Sequence, residues 1–450
     1  MYTVDEITKI VDGQLLRGDR TSPRRWVHDS RDVREGDLFV ALRGQCTDGH
    51  VFLPEVFARG ACGALISDPL EAPADASNLI VVEDPLAALQ RLATTWRRTL
   101  GATFIGITGS NGKTTTRALL ANLLSAPQSG HSVYSAPKNY NTEVGLPLAL
   151  LAMPEQASIG LFELGAERPG DIALLADILT PQIGIITSIG PSHLKQFGSI
   201  DAVATEKWSF IEALPRDSIA FVNADSPQLR QRTQQMSHRC ISTGIDHGEF
   251  RGRVEQEAPR LVVRVEDPPL RLAPPLLGAH NATNTLLAAA VALHLGLSQA
   301  ELERQMQQFV SVPHRLQEID ASIGTVLDDT YNANPASTAA AVRTLSQLGT
   351  AETFRILVFG EMLDLGPGGG RAHREILDLA LRLGIDAVLP VGKAALAACR
   401  SRQSPSILIA DRDKIGHTVR QLCRQADDAV VLVKGSRALH LDRLVDELSC

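Results

Sequence analysis

The sequence predicts an α/β protein of three domains: a central, mostly parallel sheet carrying a P-loop, flanked by a small N-terminal α/β domain and a C-terminal Rossmann-like domain. Three observations predict it. Short apolar runs alternate with helical patterns along most of the chain, the pattern of parallel sheets covered on both faces. The length of 450 residues exceeds what one hydrophobic core accommodates. Aromatic residues make up only 4% while Leu and Ala dominate, which suits α/β layers better than a β-sandwich.

The first domain, residues 1–85, has apolar runs at 38–42, 63–66 and 79–82, with a helix expected over 52–59. Residues 85–100 read as the helix leading out of it. The second domain, 86–312, starts at the strand containing Phe104 and continues with strands at 160–164, 183–187 and 218–222, alternating with helices. Within it, Ala273-Pro274-Pro275 reads as a strand edge or turn rather than a linker. Pro313 opens the third domain, 313–450, with strands at 325–328, 355–359, 387–390 and 429–433. Sheets of this kind bind ligands at the C-terminal ends of their strands.

Composition narrows the function. The 44 Lys and Arg against 51 Asp and Glu give a net charge of −7, spread without acidic or basic blocks, so a nucleic-acid partner has no electrostatic footprint. The six cysteines (Cys46, Cys62, Cys240, Cys399, Cys423, Cys450) include no CxxC pair, which argues against a zinc site or disulfide scaffold and fits a reducing compartment. The N-terminus lacks the basic start and apolar core of a signal peptide. No run reaches the ~18 apolar residues of a membrane span. The expectation is a cytoplasmic protein without membrane contact.

Residues 106–117, Gly-Ile-Thr-Gly-Ser-Asn-Gly-Lys-Thr-Thr-Thr-Arg, carry the strongest chemical signal. An apolar strand feeds them and a helical pattern through Leu119, Leu120, Leu123 and Leu124 follows. In that context the turn of Gly109, Ser110, Asn111 and Gly112 would aim backbone N–H groups at phosphates. Lys113 would reach the terminal phosphates, Thr114 would place its hydroxyl on Mg²⁺, and Thr115 would belong with them to the nucleotide-binding loop. Position 107, where the common GxxxxGK[ST] loop has glycine, is Ile107, so this is the narrower TGxxGKT form.

Other polar residues follow apolar strands. Glu163 ends one strand, as a Mg²⁺ ligand or simply a solvated strand end. His193 lies in a loop at the same sheet edge, where an isolated histidine is usually unremarkable. Lys207 sits in a helix, either as a solvated charge paired with Glu206 or as an amine converted by CO₂ to a metal-binding carbamate. Gly278–Asn284, His314-Arg315, Asp328–Pro335 and Lys434–Arg437 have the character of binding loops.

With these residues in view, the chain resembles the Mur ligases, ATP-dependent amide-forming enzymes of cell-wall precursor synthesis, over essentially all three domains. The Thr108–Thr114 loop, the His280–Asn284 motif and Arg315 are similar to those of the whole family. Lys138–Pro147, Asp328–Pro335 and Phe359–Gly366 are similar to the branch that adds D-alanyl-D-alanine to UDP-N-acetylmuramoyl-tripeptide. The resemblance implies ATP and two Mg²⁺ ions as cofactors, with an acyl phosphate intermediate. It implies Thr114 and Glu163 on one ion, His193 and carbamylated Lys207 on the other, and Lys113 on the phosphates. It further implies Asn281, Arg315 and Asp329 on the nucleotide, and Ser30, Arg31, Asp48 and His50 on the uridine nucleotide. Asn139, Asn141 and Thr142 would lie on the substrate side, and Asn332 and Asn334 near the dipeptide or the adenine. The partners are then two small molecules, with the protein acting as a monomer. Ser188, Lys195, Glu361 and His314 depart from the family pattern, with asparagine, glutamate, aspartate and glycine usual there; Lys195 would change the charge beside the metal site. The rival readings are a sister ligase that adds another amino acid to a stem peptide or glutamate to folate, and a non-catalytic nucleotide-binding homologue.

Overall fold

The computed structural model describes every residue except Met1, Asp19, Arg20, Gln45, Cys46, Asp75, Lys138, Gln235, Ser237 and Cys450, so two of the cysteines and Lys138 invoked above lie outside the described residues. Among the described residues, the strands form three sheets. The N-terminal one has the order Gln14–Leu16, Leu79–Val81, Gly63–Ile66, Leu38–Val40, Trp26–Val27, with only its first strand antiparallel. The C-terminal one repeats that plan as Gln317–Ala321, Gly324–Asp329, Ala429–Lys434, Phe354–Gly360, Ala387–Val391, again with an antiparallel first strand.

The central sheet has nine strands. Val133–Ser135, Ile159–Glu163, Thr103–Thr108, Ile183–Ile186, Ile219–Asn223, Arg239–Gly244 and Phe250–Gln256 run parallel in that order. Two further strands, Val262–Val265 and Leu270–Leu272, extend the edge antiparallel. This meander corrects the expectation of strand–helix alternation through the whole domain. The reason is local: Phe250-Arg251-Gly252-Arg253 alternates buried and exposed, the pattern of a sheet wet on one face, which needs no crossover helix.

The order of the central strands decides where chemistry can occur. The chain reaches Ile159–Glu163 on one side of Thr103–Thr108 and Ile183–Ile186 on the other, so the strand order reverses at the P-loop strand. A crevice opens at the C-terminal ends on such a reversal. It receives the P-loop, Glu163 and the loop through His193 from three adjacent strands.

Helix Pro85–Thr99 joins the first two units. Asp84 caps it by accepting from the Leu86 and Ala87 amides, and Ala88, Leu89, Leu92, Ala93 and Trp96 bury one stripe at helical spacing. That stripe shares one apolar cluster with Leu38, Leu65 and Ile80 of the N-terminal sheet and with Leu146, Phe162 and Leu175 of the central unit.

Helix Asp171–Leu179 is capped from outside its own segment. The buried Glu206 carboxylate accepts from the Gly170 and Ile172 amides, both at 2.8 Å, satisfying helix N-terminal donors and opposing the positive end of the helix dipole. Replacing Glu206 with Ala leaves those donors without a partner and should cost about 2 kcal/mol. A lower urea midpoint with an unchanged slope is the expected observation.

Candidate active site

The crevice is a cavity of about 560 Å³ between the central and C-terminal units. The P-loop forms its floor. Gly109 has φ +143° and Gly112 φ +88°, and a Cβ at these positions would fall 2.1 Å from Thr187 Oγ1 and 2.2 Å from Asn284 Oδ1. Glycine is therefore required at both for conformation and for space. Gly112 opens helix Lys113–Leu124 with no side-chain cap, leaving the first amides of the helix available to an anion.

Lys113 folds back to donate to the Gly109 carbonyl at 2.5 Å. Burial lowers its pKa, opposed by the nearby Glu163 charge. Thr114 Oγ1 donates to Glu163 Oε2 at 3.1 Å, while Arg117 Nε donates to Glu163 Oε1 at 2.8 Å. Arg117 also donates to the Ser135 hydroxyl and, at 2.6 Å, to the Ala136 carbonyl. Arg117 joins the candidate site through Glu163 without having been marked from the sequence; the available signal was its place one turn beyond Lys113 on the P-loop helix.

Ser188 clasps the loop, accepting from the Asn111 amide and donating to the Asn111 carbonyl, both at 2.9 Å. His193 and Lys207 also line the cavity. The Lys207 ammonium is 3% exposed as a residue and forms no hydrogen bond among the described residues. Its pKa falls to about 7, through burial first and the Lys113 charge second. His193 is lowered by burial and then by Lys207. The alternative of a Lys207–Glu206 pair does not form, because Glu206 is committed to its helix cap. Lys195 is exposed and is not part of the cavity lining, its amide donating to the carbonyl of Asp364, which is.

The C-terminal unit supplies the opposite wall. The Arg315 guanidinium stacks 3.8 Å from the Tyr331 ring centroid and reaches Thr114 Oγ1 at 3.4 Å. Asp329 and Lys434 end neighbouring strands in register and pair at 2.6 Å, with Lys434 also donating to the Asn332 carbonyl at 3.0 Å. The sequence marks Lys434 only as part of a loop; its partner lies a hundred residues away. Asn334 Nδ2 donates to Asn111 Oδ1 at 2.7 Å, and the Tyr331 hydroxyl donates to Asn139, so both contacts cross the cleft. Asn141, Thr142, Asn281 and Asn332 line the same cavity. Asn281 is held by the Leu277 carbonyl at 2.9 Å and in turn accepts from Asn284.

The N-terminal group does not join them. Arg31 lines a separate cavity of about 850 Å³ with Arg25, Trp26 and Tyr140. His50 is turned inward: its ring contacts Asp48 Oδ1 at 2.6 Å and accepts from the Ser67 amide at 2.9 Å, so both nitrogens are already used. Asp48 is occupied by that contact, and Ser30 is buried. Of the four residues expected on a uridine nucleotide, Arg31 lines this cavity and the other three do not. His50 instead braces the 48–50 loop against the strand ending at Ile66.

Among the described residues, no three His, Cys, Asp or Glu side chains gather as a metal cluster. Thr114 and Glu163 nevertheless bring a hydroxyl and a carboxylate together, hard oxygen donors that fit Mg²⁺ when phosphate oxygens complete the shell. His193 with Lys207 fits a second ion only if the amine becomes anionic.

Comparison with known proteins shows what the whole chain is similar to. Residues 27–97 match the Mur ligase family catalytic domain, 107–292 the Mur ligase middle domain, and 314–437 the Mur ligase glutamate ligase domain. The chain is 31% identical over 453 residues to the UDP-N-acetylmuramoyl-tripeptide–D-alanyl-D-alanine ligase of Escherichia coli, covering 99% of this chain and 98% of that one. It is 29% identical to the ligase of that name from Bacillus subtilis, with the same coverage. The crystal structure of MurF from Acinetobacter baumannii superposes with a TM-score of 0.90 at 28% identity, covering 100% and 98% of the two chains. MurF from Thermotoga maritima in complex with ADP gives 0.83 at 27% identity, covering 95% and 97%.

The depressed Lys207 pKa makes a stability prediction. Between about 7 and the ordinary 10.5 the unfolded chain binds the proton that the folded chain has lost, so stability rises with pH across that window. Below it the cost of burying the charged amine is fully present. In metal-free, CO₂-depleted buffer, Lys207→Met should be more stable than the parent at about pH 6, with the gap closing towards about pH 10 in urea titrations. A gap independent of pH would contradict the assignment.

Proposed function

Because the chain belongs to the Mur ligase family, we propose that it is the ATP-dependent ligase that joins D-alanyl-D-alanine to UDP-N-acetylmuramoyl-tripeptide through an acyl phosphate. The observation that carries this reading is the meeting of the P-loop lysine, the Thr114–Glu163 pair and the Arg315, Asp329 and Lys434 wall in one interdomain cavity. The names of the full-length relatives favour the dipeptide over another amino acid.

The P-loop amides would hold the phosphates of ATP, and Lys113 would exchange the Gly109 carbonyl for a phosphate oxygen. Asn281 and Asp329 would hold the nucleoside from opposite sides of the cleft. The tripeptide carboxylate then attacks the γ-phosphorus and ADP leaves, giving the acyl phosphate. The amine of the dipeptide attacks that carbonyl, loses a proton and expels phosphate. Lys113 and Arg315 would stabilise the charge on the transferring group, which is how phosphoryl transfer is chiefly catalysed. Asn139, Asn141, Thr142, Asn332 and Asn334 would position the acceptor and the dipeptide, and the cross-cleft contacts would keep water from the acyl phosphate.

Thr114 and Glu163 would hold Mg²⁺, which would supply charge neutralisation at the phosphates. His193 and Lys207 would hold a second ion once the neutral Lys207 amine adds CO₂ and releases a proton, leaving an anionic carbamate. A half-neutral amine near pH 7 is the form able to react. Arg31 and the cavity around it are our candidate for the uridine nucleotide. We take the protein to act as a monomer in the cytoplasm; among the described residues no helix is long and apolar enough to cross a membrane.

The test is phosphate release from Mg·ATP with UDP-N-acetylmuramoyl-tripeptide and D-alanyl-D-alanine, omitting each in turn. Release only in the complete mixture, with the pentapeptide product by mass, is expected. Lys113→Ala should lower kcat by about 10²–10³-fold. ATP binding with no product in the complete mixture would sink the assignment.

A further inference from the structure

We propose that His314, which lines neither cavity, is a positioning residue that aims Arg315 across the cleft. The proposal rests on the reading that Arg315 serves the transferring phosphoryl group.

Arg315 lies between two residues in the left-handed region, His314 at φ +65° and Leu316 at φ +52°. Side chains with a Cβ disfavour that region, and glycine takes it freely. An imidazole at position 314 therefore needs a reason. Its Nδ1 lies 2.7 Å from Asp328 Oδ2, and Asp328 is buried at the end of its strand. The other Asp328 oxygen accepts from the Thr330 hydroxyl at 2.6 Å and from the Thr330 amide at 3.1 Å. The His314 carbonyl accepts from the Tyr331 amide at 3.3 Å. His314 thus grips both ends of the 328–331 turn.

Tyr331, at the far end of that turn, carries the ring on which the Arg315 guanidinium lies. Arg315 Nε is buried without a hydrogen-bond partner among the described residues, so the guanidinium is not locked through that nitrogen. Its direction depends on the stack beneath it, on the backbone at either side and on its 3.4 Å contact with Thr114 Oγ1. His314 holds the backbone before Arg315 and the turn that carries the Tyr331 ring.

Three variants test this under the ligase assay. His314→Gly keeps the backbone conformation without strain and removes the clasp. The expected result is a kcat about ten- to a hundredfold lower, the loss expected of a misaimed group, with the KM for the dipeptide and Tm little changed. His314→Asn should recover most of the rate, because asparagine tolerates the left-handed region and its amide can donate to Asp328. Arg315→Ala must itself lose kcat. If it does while His314→Gly turns over like the parent, the positioning role is wrong. If Arg315→Ala is unimpaired, the phosphoryl reading of Arg315 fails first and takes this proposal with it. A collapse of Tm in His314→Gly without rescue by asparagine would make His314 merely structural and overturn the proposal.

Discussion

Glu163 ends its strand with one carboxylate oxygen on the Thr114 hydroxyl and the other on the Arg117 guanidinium, and much of the crevice is organised around that fork. A buried carboxylate without partners would be costly. Here its two partners come from one helix, so satisfying the charge also fixes how the P-loop helix meets the neighbouring strand. Arg117 extends the arrangement to Ser135 and Ala136 on the sheet edge. The same negative charge opposes the effect of burial on Lys113. One side chain thus sets the strand end, the helix start and the electrostatics of the phosphate-binding lysine.

Much of this was legible in the sequence, for identifiable reasons. Strands buried on both faces are continuous apolar runs, so Ile159–Glu163, Ile183–Ile186 and Ala429–Lys434 stand out from their surroundings. The P-loop is local, and its two constrained glycines fall within four residues. What stayed hidden is what depends on distant pairing. Arg117 reads as an ordinary helix residue until Glu163 is placed beside it. Lys434 needs Asp329, and Glu206 needs the amides at 170 and 172. His50 shows the same limit: the sequence expects it on the uridine nucleotide, and in the structure its ring lies buried between Asp48 and the Ser67 amide.

The positions expected from the sequence to depart from the family pattern are held by local chemistry. Ser188 supplies both a donor and an acceptor to Asn111. Glu361 accepts from the Lys393 amide at 2.8 Å, at the start of helix Lys393–Arg400 and outside the crevice. Neither removes a group from the phosphate site. Residue identity can drift at such positions because the surrounding backbone asks for a hydrogen-bonding function rather than for one particular side chain.

Helix Pro85–Thr99 has a mechanical consequence. Its apolar stripe belongs to a cluster that runs unbroken from the N-terminal sheet into the central unit, so rotating these two against each other would expose core to water. The C-terminal core clusters draw far less from the central unit: Leu277 is buried among them and Ala258 packs at their edge. Within the cleft, the side-chain contacts described above to the C-terminal unit are few and polar. The two junctions are therefore unequal in stiffness. Relative rotation would therefore cost more apolar burial at the first junction than at the second, where the contacts that would have to part are the polar ones around Arg315 and Asn334.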